Sequence, residues 1–281
     1  MTVTVLGHVC IDKNVSEGTT YISAGSPAMF IDKVYKKFPD VLTNIIAPYG
    51  SDFLTYTHSI NILPKKSTSD FTLIYENKSQ GNVRTQKALN REYANPLYLS
   101  AELQSELAKS DVIFLAPLMP NFSSGYATNL MKHVKPGVLK ILIPQGYYRD
   151  FDSDDNVIER DFIEAEELIP LFDFVIVSNQ DHKAMRTIAQ TWAQNTQVVM
   201  TLGDHGAEYL YKDESLVESV EPVKSEDIID SVGSGDIFSA SFGYKYFLTK
   251  DIKKSLKFAN KIARQCLFYP VNNLQFVLPQ T

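Results

Sequence analysis

Residues 230–238 read DSVGSGDIF, two glycines around a serine with a carboxylate directly behind them. Apolar residues then recur at helical spacing, at Ile237, Phe238, Ser241 or Phe242, Tyr244 and Leu248, so the glycines open a helix. The first N–H groups of a helix have no intrahelical acceptor and lie at the positive end of its dipole, so Gly233, Ser234 and Gly235 can form an anion hole. Glycine also lets a bulky phosphate come close to the main chain. Asp236 beside such a hole can take the proton of an alcohol that attacks a terminal phosphoryl group, while the amides stabilise the charge that develops. A plain helix cap, with Asp236 supporting the dipole, fits the same residues, and on this stretch alone both readings stand. Two other phosphate motifs are excluded: GSGDIF lacks the third small residue of GxGxxG, and no GxxxxGK followed by Ser or Thr occurs.

The elements that must hold this stretch are legible as alternation. Apolar runs at VTVLG (3–7), LTNIIAP (42–48), VIFLAP (112–117), VLKILIP (138–144), FDFVIVS (172–178) and TQVVMTLG (196–203) alternate with helical patterns over 26–38, 123–135 and 179–194. This rhythm predicts a mostly parallel sheet with helices on both faces. STSDFTLIYENKSQGNVRTQKAL (67–89) interrupts it and reads as an inserted hairpin turning at ENKSQGN, a candidate lid or a static edge. After the glycine helix, Ile252, Leu256, Ala259, Ile262, Ala263 and Cys266 mark one buried face of a second helix.

The chain has 281 residues, enough for one larger α/β domain or two ordinary ones. Its 27 basic and 33 acidic residues give a formal charge of -6 with no basic block, which argues against nucleic-acid or anionic-lipid partners. No charged apolar leader and no long apolar run is present, so a soluble cytoplasmic protein is expected. Cys10 and Cys266 make no metal-ligand spacing and are expected as buried free thiols. His8 has no nucleophile partner and is expected to be a hydrogen-bonded structural histidine, and Trp192 a packing residue.

The stretch DSVGSGDIFSASFGY (230–244) resembles the C-terminal signature of the ribokinase-like sugar kinases, the PfkB carbohydrate kinase family, usually D-T-x-G-A-G-D-x-F. Ser234 stands where the signature has Ala, which leaves the backbone donors intact. TLGDHGAEYLY (201–211) is similar to the family's T-x-G-x-x-G strand and turn, which implies that Thr201, Gly203 and Gly206 face a nucleotide; alone it reads equally as a plain hairpin. FANKIAR (258–264) resembles a late helix that sets Asn260 beside the adenine; alone, Asn260 is an exposed helical residue. VTVLGHVCID (3–12) and ISAGSPAMF (22–30) resemble the first strand and the substrate-binding glycine pair. That likeness implies that Asp12 holds substrate hydroxyls and that Gly25 lets the substrate reach the backbone; otherwise they are a strand-end carboxylate and a turn former. GHVCID and PQGYYR (144–149) are similar to a subgroup that includes inositol-type kinases.

The resemblance runs from Val3 to Pro279. It implies a ribokinase-like α/β fold, a mostly parallel central sheet flanked by helices on both faces, in one domain over 1–281 with a small β lid from 67–89 and part of 12–24. It implies ATP-dependent phosphorylation of a sugar or polyol, with Asp236 as base, Gly233, Ser234 and Gly235 as anion hole, and Mg²⁺ accompanying the nucleotide. A monovalent cation near the hole and a homodimer through the lid are further candidates. A nucleoside kinase and a non-catalytic nucleotide- or sugar-binding regulator of the same fold are the alternatives.

Several positions depart from the pattern. Ala24 replaces the first glycine of the pair, Met29 an asparagine common in ribokinases, and Cys10 a sugar-binding asparagine, so ribose itself is disfavoured. VSNQDHKA (177–184) resembles the N-x-x-E segment tied to magnesium and phosphate, with Asn179 kept, His182 in the place of Glu and Asp181 next to it. Imidazole suits magnesium poorly, so either metal handling is altered or the segment is offset by one residue; the metal ligands stay unassigned. Arg149 suits a phosphate or carboxylate, or an exposed ion pair.

Overall fold

In the computed structural model, which describes residues 1–16, 19–57, 59–80, 83–270 and 273–278, the apolar runs become the strands of one large sheet. The chain begins with β1 (Thr2–Gly7), β2 (Cys10–Ser16), β3 (Thr19–Gly25), α1 (Pro27–Tyr35), β4 (Leu42–Ile46), β5 (Ile62–Leu63), β6 (Ile74–Gln80) and β7 (Val83–Leu89). It continues with α2 (Ala101–Lys109), β8 (Val112–Ala116), α3 (Ser124–Met131), β9 (Leu139–Leu142), β10 (Arg149–Phe151), β11 (Val157–Glu159) and α4 (Ala165–Leu168). The last part supplies β12 (Phe174–Ser178), α5 (Met185–Trp192), β13 (Gln197–Thr201), β14 (Ala207–Tyr211), β15 (Glu214–Glu218), α6 (Ser234–Thr249) and α7 (Ile252–Cys266).

The large sheet has nine strands in the order β15-β14-β13-β12-β9-β8-β1-β4-β5. Pairings from β13 through β5 are parallel, and β14 and β15 extend one edge antiparallel. Each of the six expected runs holds one parallel strand, because a strand covered on both faces reads as a nearly continuous apolar run; all five residues of β8 are buried. One face packs Val3, Val5, Phe114, Ile141 and Phe174 against α1, α6 and α7. The other packs Leu6, Ile113, Leu115, Val175 and Val177 against α2, α3 and α5. Tyr35 ties α1 to α6 by donating its hydroxyl to the Ala240 carbonyl at 2.9 Å. Cys10 and Cys266 are buried free thiols, and Trp192 packs edge-on to Phe162 at 6.0 Å.

The interruption of the rhythm builds a second sheet, order β3-β2-β6-β7. Its two hairpins are antiparallel, and a parallel β2–β6 pairing joins them. The first strand of the inserted hairpin starts at Ile74, not at Ser67. The groups before it are already engaged with the 49–52 segment: Thr68 N–H donates to the Tyr49 carbonyl, and Thr72 N–H to the Asp52 carboxylate. Gly81 and Asn82 of the expected turn lie outside the described residues. The chain leaves β1, β8, β9, β12 and β13 at the same end of the parallel sheet, the end at which open α/β sheets bind ligands.

Candidate active site

The glycine stretch does open a helix. Gly233, the residue before α6, has φ 74° and ψ 6°, a left-handed conformation, and a Cβ there would lie 2.4 Å from the Phe30 ring; glycine is required on both counts. The loop before it is held by the Asp230 carboxylate, which accepts the Val232 N–H at 3.0 Å. Ser234 N–H is spent on the Ser231 carbonyl at 3.2 Å, and Ile237 N–H closes the first helical bond onto Gly233 at 2.9 Å. The N–H groups of Gly233, Gly235 and Asp236 make no hydrogen bond among the described residues. A side chain at Gly235 would meet nothing within 4 Å. The cradle therefore offers uncommitted amides and open space at the positive end of a 16-residue helix.

Asp236 sits half-buried in the first turn of α6. Desolvation lifts its pKa from 3.8 to about 7; the Arg149 guanidinium opposes the rise, and the carboxylates of Asp181 and Asp12 add to it. The charges that act on Asp236 thus come from the segment after β12, from β2 and from the segment after β9, and Asp12 also acts on Lys33 of α1. A carboxyl group with a pKa near neutrality is suited to take up a proton and release it.

The small sheet supplies a polar face. Asp12 on β2 is in register with Ser23 on β3 and Tyr75 on β6, and two residues on, Asn14 is in register with Asn77, which pairs with Gln86 on β7. Paired positions share a face. The amides form a row in which Gln86 Nε2 donates to Asn77 Oδ1 at 2.7 Å and Asn77 Nδ2 to Asn14 Oδ1 at 3.0 Å. The opposite face carries the Lys13–Glu76 ion pair at 2.7 Å. Gly25 allows the approach of Asp12: a Cβ there would lie 1.8 Å from Asp12 Oδ2. The space beside Gly25 is filled by that carboxylate, a different use of the glycine from the substrate approach implied by resemblance. Cys10 Sγ donates to Asp12 Oδ1 at 3.6 Å, and burial keeps the thiol protonated.

Arg149 follows the PQGYY turn after β9. Gly146 lets that turn settle on the strand-end segment 117–119, since a Cβ there would lie 2.4 Å from the Pro117 carbonyl. The guanidinium lies over the Tyr75 ring at 5.0 Å, and Nη1 donates to the Leu118 carbonyl at 3.5 Å. Tyr75, 1% exposed, donates its hydroxyl to the same carbonyl at 2.7 Å. Leu118 N–H in turn donates to His8 Nδ1 at 2.9 Å, so the His8 proton is on Nε2 and goes to the Ala94 carbonyl at 2.9 Å. Burial drives the His8 pKa down to about 4, so the ring is a neutral strut.

The segment after β12 divides its side chains. Asp181 Oδ2 accepts the Ser178 N–H at 2.8 Å, and its carboxyl group, raised by burial and lowered by Arg149, belongs to the acid cluster. His182, 6% exposed, turns away, with Nε2 3.3 Å from Asp161 and 3.4 Å from Glu159. The carboxylate of this segment that acts on Asp236 is therefore Asp181, one residue before the expected Glu. Asn179 is exposed, and its N–H donates to the Thr201 carbonyl at 3.0 Å; Thr201 Oγ1 donates to the Val177 carbonyl at 3.3 Å. Gly203, φ 62°, borders open space, whereas Gly206, φ 94°, packs against the Glu218 carbonyl. Asn260, 7% exposed, donates its amide to that same carbonyl at 2.8 Å, so it ties α7 to the end of β15.

The structure thus brings Asp236, Asp12, Asp181 and Arg149 together, joins Asn179 to Thr201, and joins Gly206 to Asn260. The amide row and Tyr75 were not singled out from the sequence. The alternation Cys10, Asp12, Asn14 was a signal for part of that face; its partners on β6 and β7 had none.

Comparison with family models matches residues 56–271 to the pfkB family carbohydrate kinases. Curated proteins give no match. Among solved structures, a pyrophosphate-dependent kinase of the ribokinase family, complexed with a pyrophosphate analog and myo-inositol, is 19% identical with a TM-score of 0.76, over 95% of this chain and 96% of that one. Arabidopsis thaliana ribokinase, complexed with ribose and ATP, is 17% identical with a TM-score of 0.70 over 94% and 92%. Anopheles gambiae adenosine kinase is 14% identical with a TM-score of 0.73 over 94% and 95%. The shared property at these identities is the fold, an α/β ribokinase-like architecture with a small sheet beside a large, mostly parallel one. Among the described residues no helix is long and apolar enough to cross a membrane.

Proposed function

The chain belongs to the pfkB family of carbohydrate kinases, and on that premise we propose that it transfers the terminal phosphoryl group of ATP to a hydroxyl of a sugar or polyol. The observation that carries this reading is the juxtaposition of an acid with a pKa of about 7 and uncommitted N–H groups at the same helix start. A nearly neutral acid is a better base than an ordinary carboxylate, yet is still about half ionised at physiological pH.

The acceptor lies against the inner face of the small sheet, where Asp12 and the row Asn14, Asn77 and Gln86 offer acceptors and donors to several hydroxyls at once. Asp236 takes the proton of the attacking hydroxyl. The new oxygen–phosphorus bond forms as the bridging bond to the leaving phosphate breaks, and the leaving oxygen keeps the electron pair. Gly235 and Asp236 N–H groups donate to the phosphoryl oxygens throughout. The small sheet acts as the lid, since water would otherwise compete as acceptor.

No group of three potential protein ligands surrounds a metal position among the described residues. That fits Mg²⁺, which keeps much of its water and takes phosphate oxygens with one or two carboxylates. Asp181, with one carboxylate oxygen bonded to Ser178 N–H, is the residue here that would hold it; when bound with the donor, the ion neutralises phosphate charge.

A coupled assay of ADP release across sugars, polyols and nucleosides tests the reading. A sugar or polyol should give the highest kcat/KM. Binding of ATP with no acceptor phosphorylated would instead favour a regulator of the same fold, and a nucleoside as best acceptor would move the assignment to that class.

A further inference from the structure

We infer that Arg149 is a catalytic residue, a guanidinium that grips the phosphoryl group as it passes from donor to acceptor; the inference rests on the kinase reading above. Its position bridges the two halves of the site. Its backbone continues from the carboxyl end of β9, and its side chain lies on Tyr75 of the small sheet, whose register partner is Asp12. Acceptor face and cradle therefore meet at this one side chain.

The hydrogen bonding of Arg149 is incomplete. A guanidinium carries five N–H donors, and its partners among the described residues are the Leu118 carbonyl at 3.5 Å and the Tyr75 hydroxyl. Although Asp12, Asp181 and Asp236 are all near, it makes no ion pair with any of them among the described residues. A half-buried arginine among three carboxylates would normally collapse onto one of them. Here the Tyr75 ring and the Leu118 carbonyl hold it back, and that carbonyl is itself fixed through His8. Most of its donors are left without an acceptor among the described residues while three acids act nearby, and the species that satisfies a guanidinium in this way is a planar array of anionic oxygens. In phosphoryl transfer that array is the three equatorial oxygens of the group in flight.

Arg149 moves no proton and forms no covalent bond. It donates hydrogen bonds that strengthen as charge builds on the transferring group, and it lowers the pKa of Asp236. A residue that only anchors the lid to the core would do neither.

The test uses the full chain with Arg149→Lys and Arg149→Ala. Three results are expected: kcat reduced roughly 10²–10³-fold with acceptor KM within about threefold; inorganic pyrophosphate binding, measured by calorimetry without nucleotide, weakened at least about tenfold; and the acid limb of the kcat/KM profile of the alanine variant moved to higher pH. Added guanidinium ion should restore part of the turnover of that variant. A raised acceptor KM with unchanged kcat would make Arg149 an acceptor-binding residue and overturn the inference, as would undiminished pyrophosphate affinity. If the wild-type chain phosphorylates nothing, the kinase reading fails, and calorimetry still decides whether Arg149 holds phosphate. Arg149→Lys retains a cation and serves where the alanine variant does not fold.

Discussion

Replacing Asp236 with Asn should raise stability and abolish most activity, and the size of the first effect follows from the site. The folded carboxyl group has a pKa of about 7 against an ordinary 3.8. Below pH 3.8 both folded and unfolded chains carry the proton. Between 3.8 and about 7 the folded chain holds it and the unfolded chain does not, so stability falls as pH rises, and above about 7 the loss is complete. A displacement of about three pH units at about 1.4 kcal/mol each sets a ceiling of about 4 kcal/mol. The residue keeps partial exposure, and water reaching it relaxes the penalty, so about 2 kcal/mol is a fair expectation. Asn imitates the protonated acid at every pH. The melting temperatures of wild type and variant should therefore nearly coincide at pH 4 and separate by about 4–8 °C at pH 8, on the scale of ~2–4 °C per kcal/mol for a chain of this size. Turnover should fall roughly 10²–10⁴-fold with ATP affinity retained. A variant less stable than wild type at pH 8, or a difference that does not grow with pH, would refute the claim that burial strains this acid. Near-normal turnover would refute its role as base.

Gly25→Ala would bring a methyl group within 1.8 Å of Asp12 Oδ2, so Asp12 must turn away; acceptor KM should rise about tenfold or more with ATP binding little changed, as read by titration of each substrate. Gly235→Leu meets open space and a better helix former replaces a poor one, so the melting temperature should hold or rise while calorimetry shows loss of ATP affinity; unchanged affinity would remove the cradle. Asn260→Ala removes the bond to the Glu218 carbonyl and should lower stability by about 1 kcal/mol. The preference for ATP over GTP should be unaffected, and a collapse of that preference would show that the amide serves the base instead.

The parts of this molecule legible in the sequence are those whose cause is local. A buried parallel strand is a nearly continuous apolar run, and a helix start announces itself in glycines followed by a 3.6-residue rhythm, so six strands and α6 could be read directly. The acceptor face could not, because it depends on pairing Asn14 with Asn77, 63 residues away, through a parallel contact that no turn encodes. Gly146 is glycine because of Pro117 and Leu118, a reason invisible from residues 144–149 alone, and the position of Arg149 follows from it. The same holds for His182: its partners, Glu159 and Asp161, come from a segment about twenty residues earlier, while Asp181 accepts from the Ser178 N–H. Asp181, one position before the expected acid, is the carboxylate of this segment that acts on Asp236. Arg149, for its part, is placed by Tyr75, Leu118 and His8, residues far from it in the sequence: the Tyr75 ring lies under the guanidinium, the Leu118 carbonyl accepts from it, and His8 fixes Leu118.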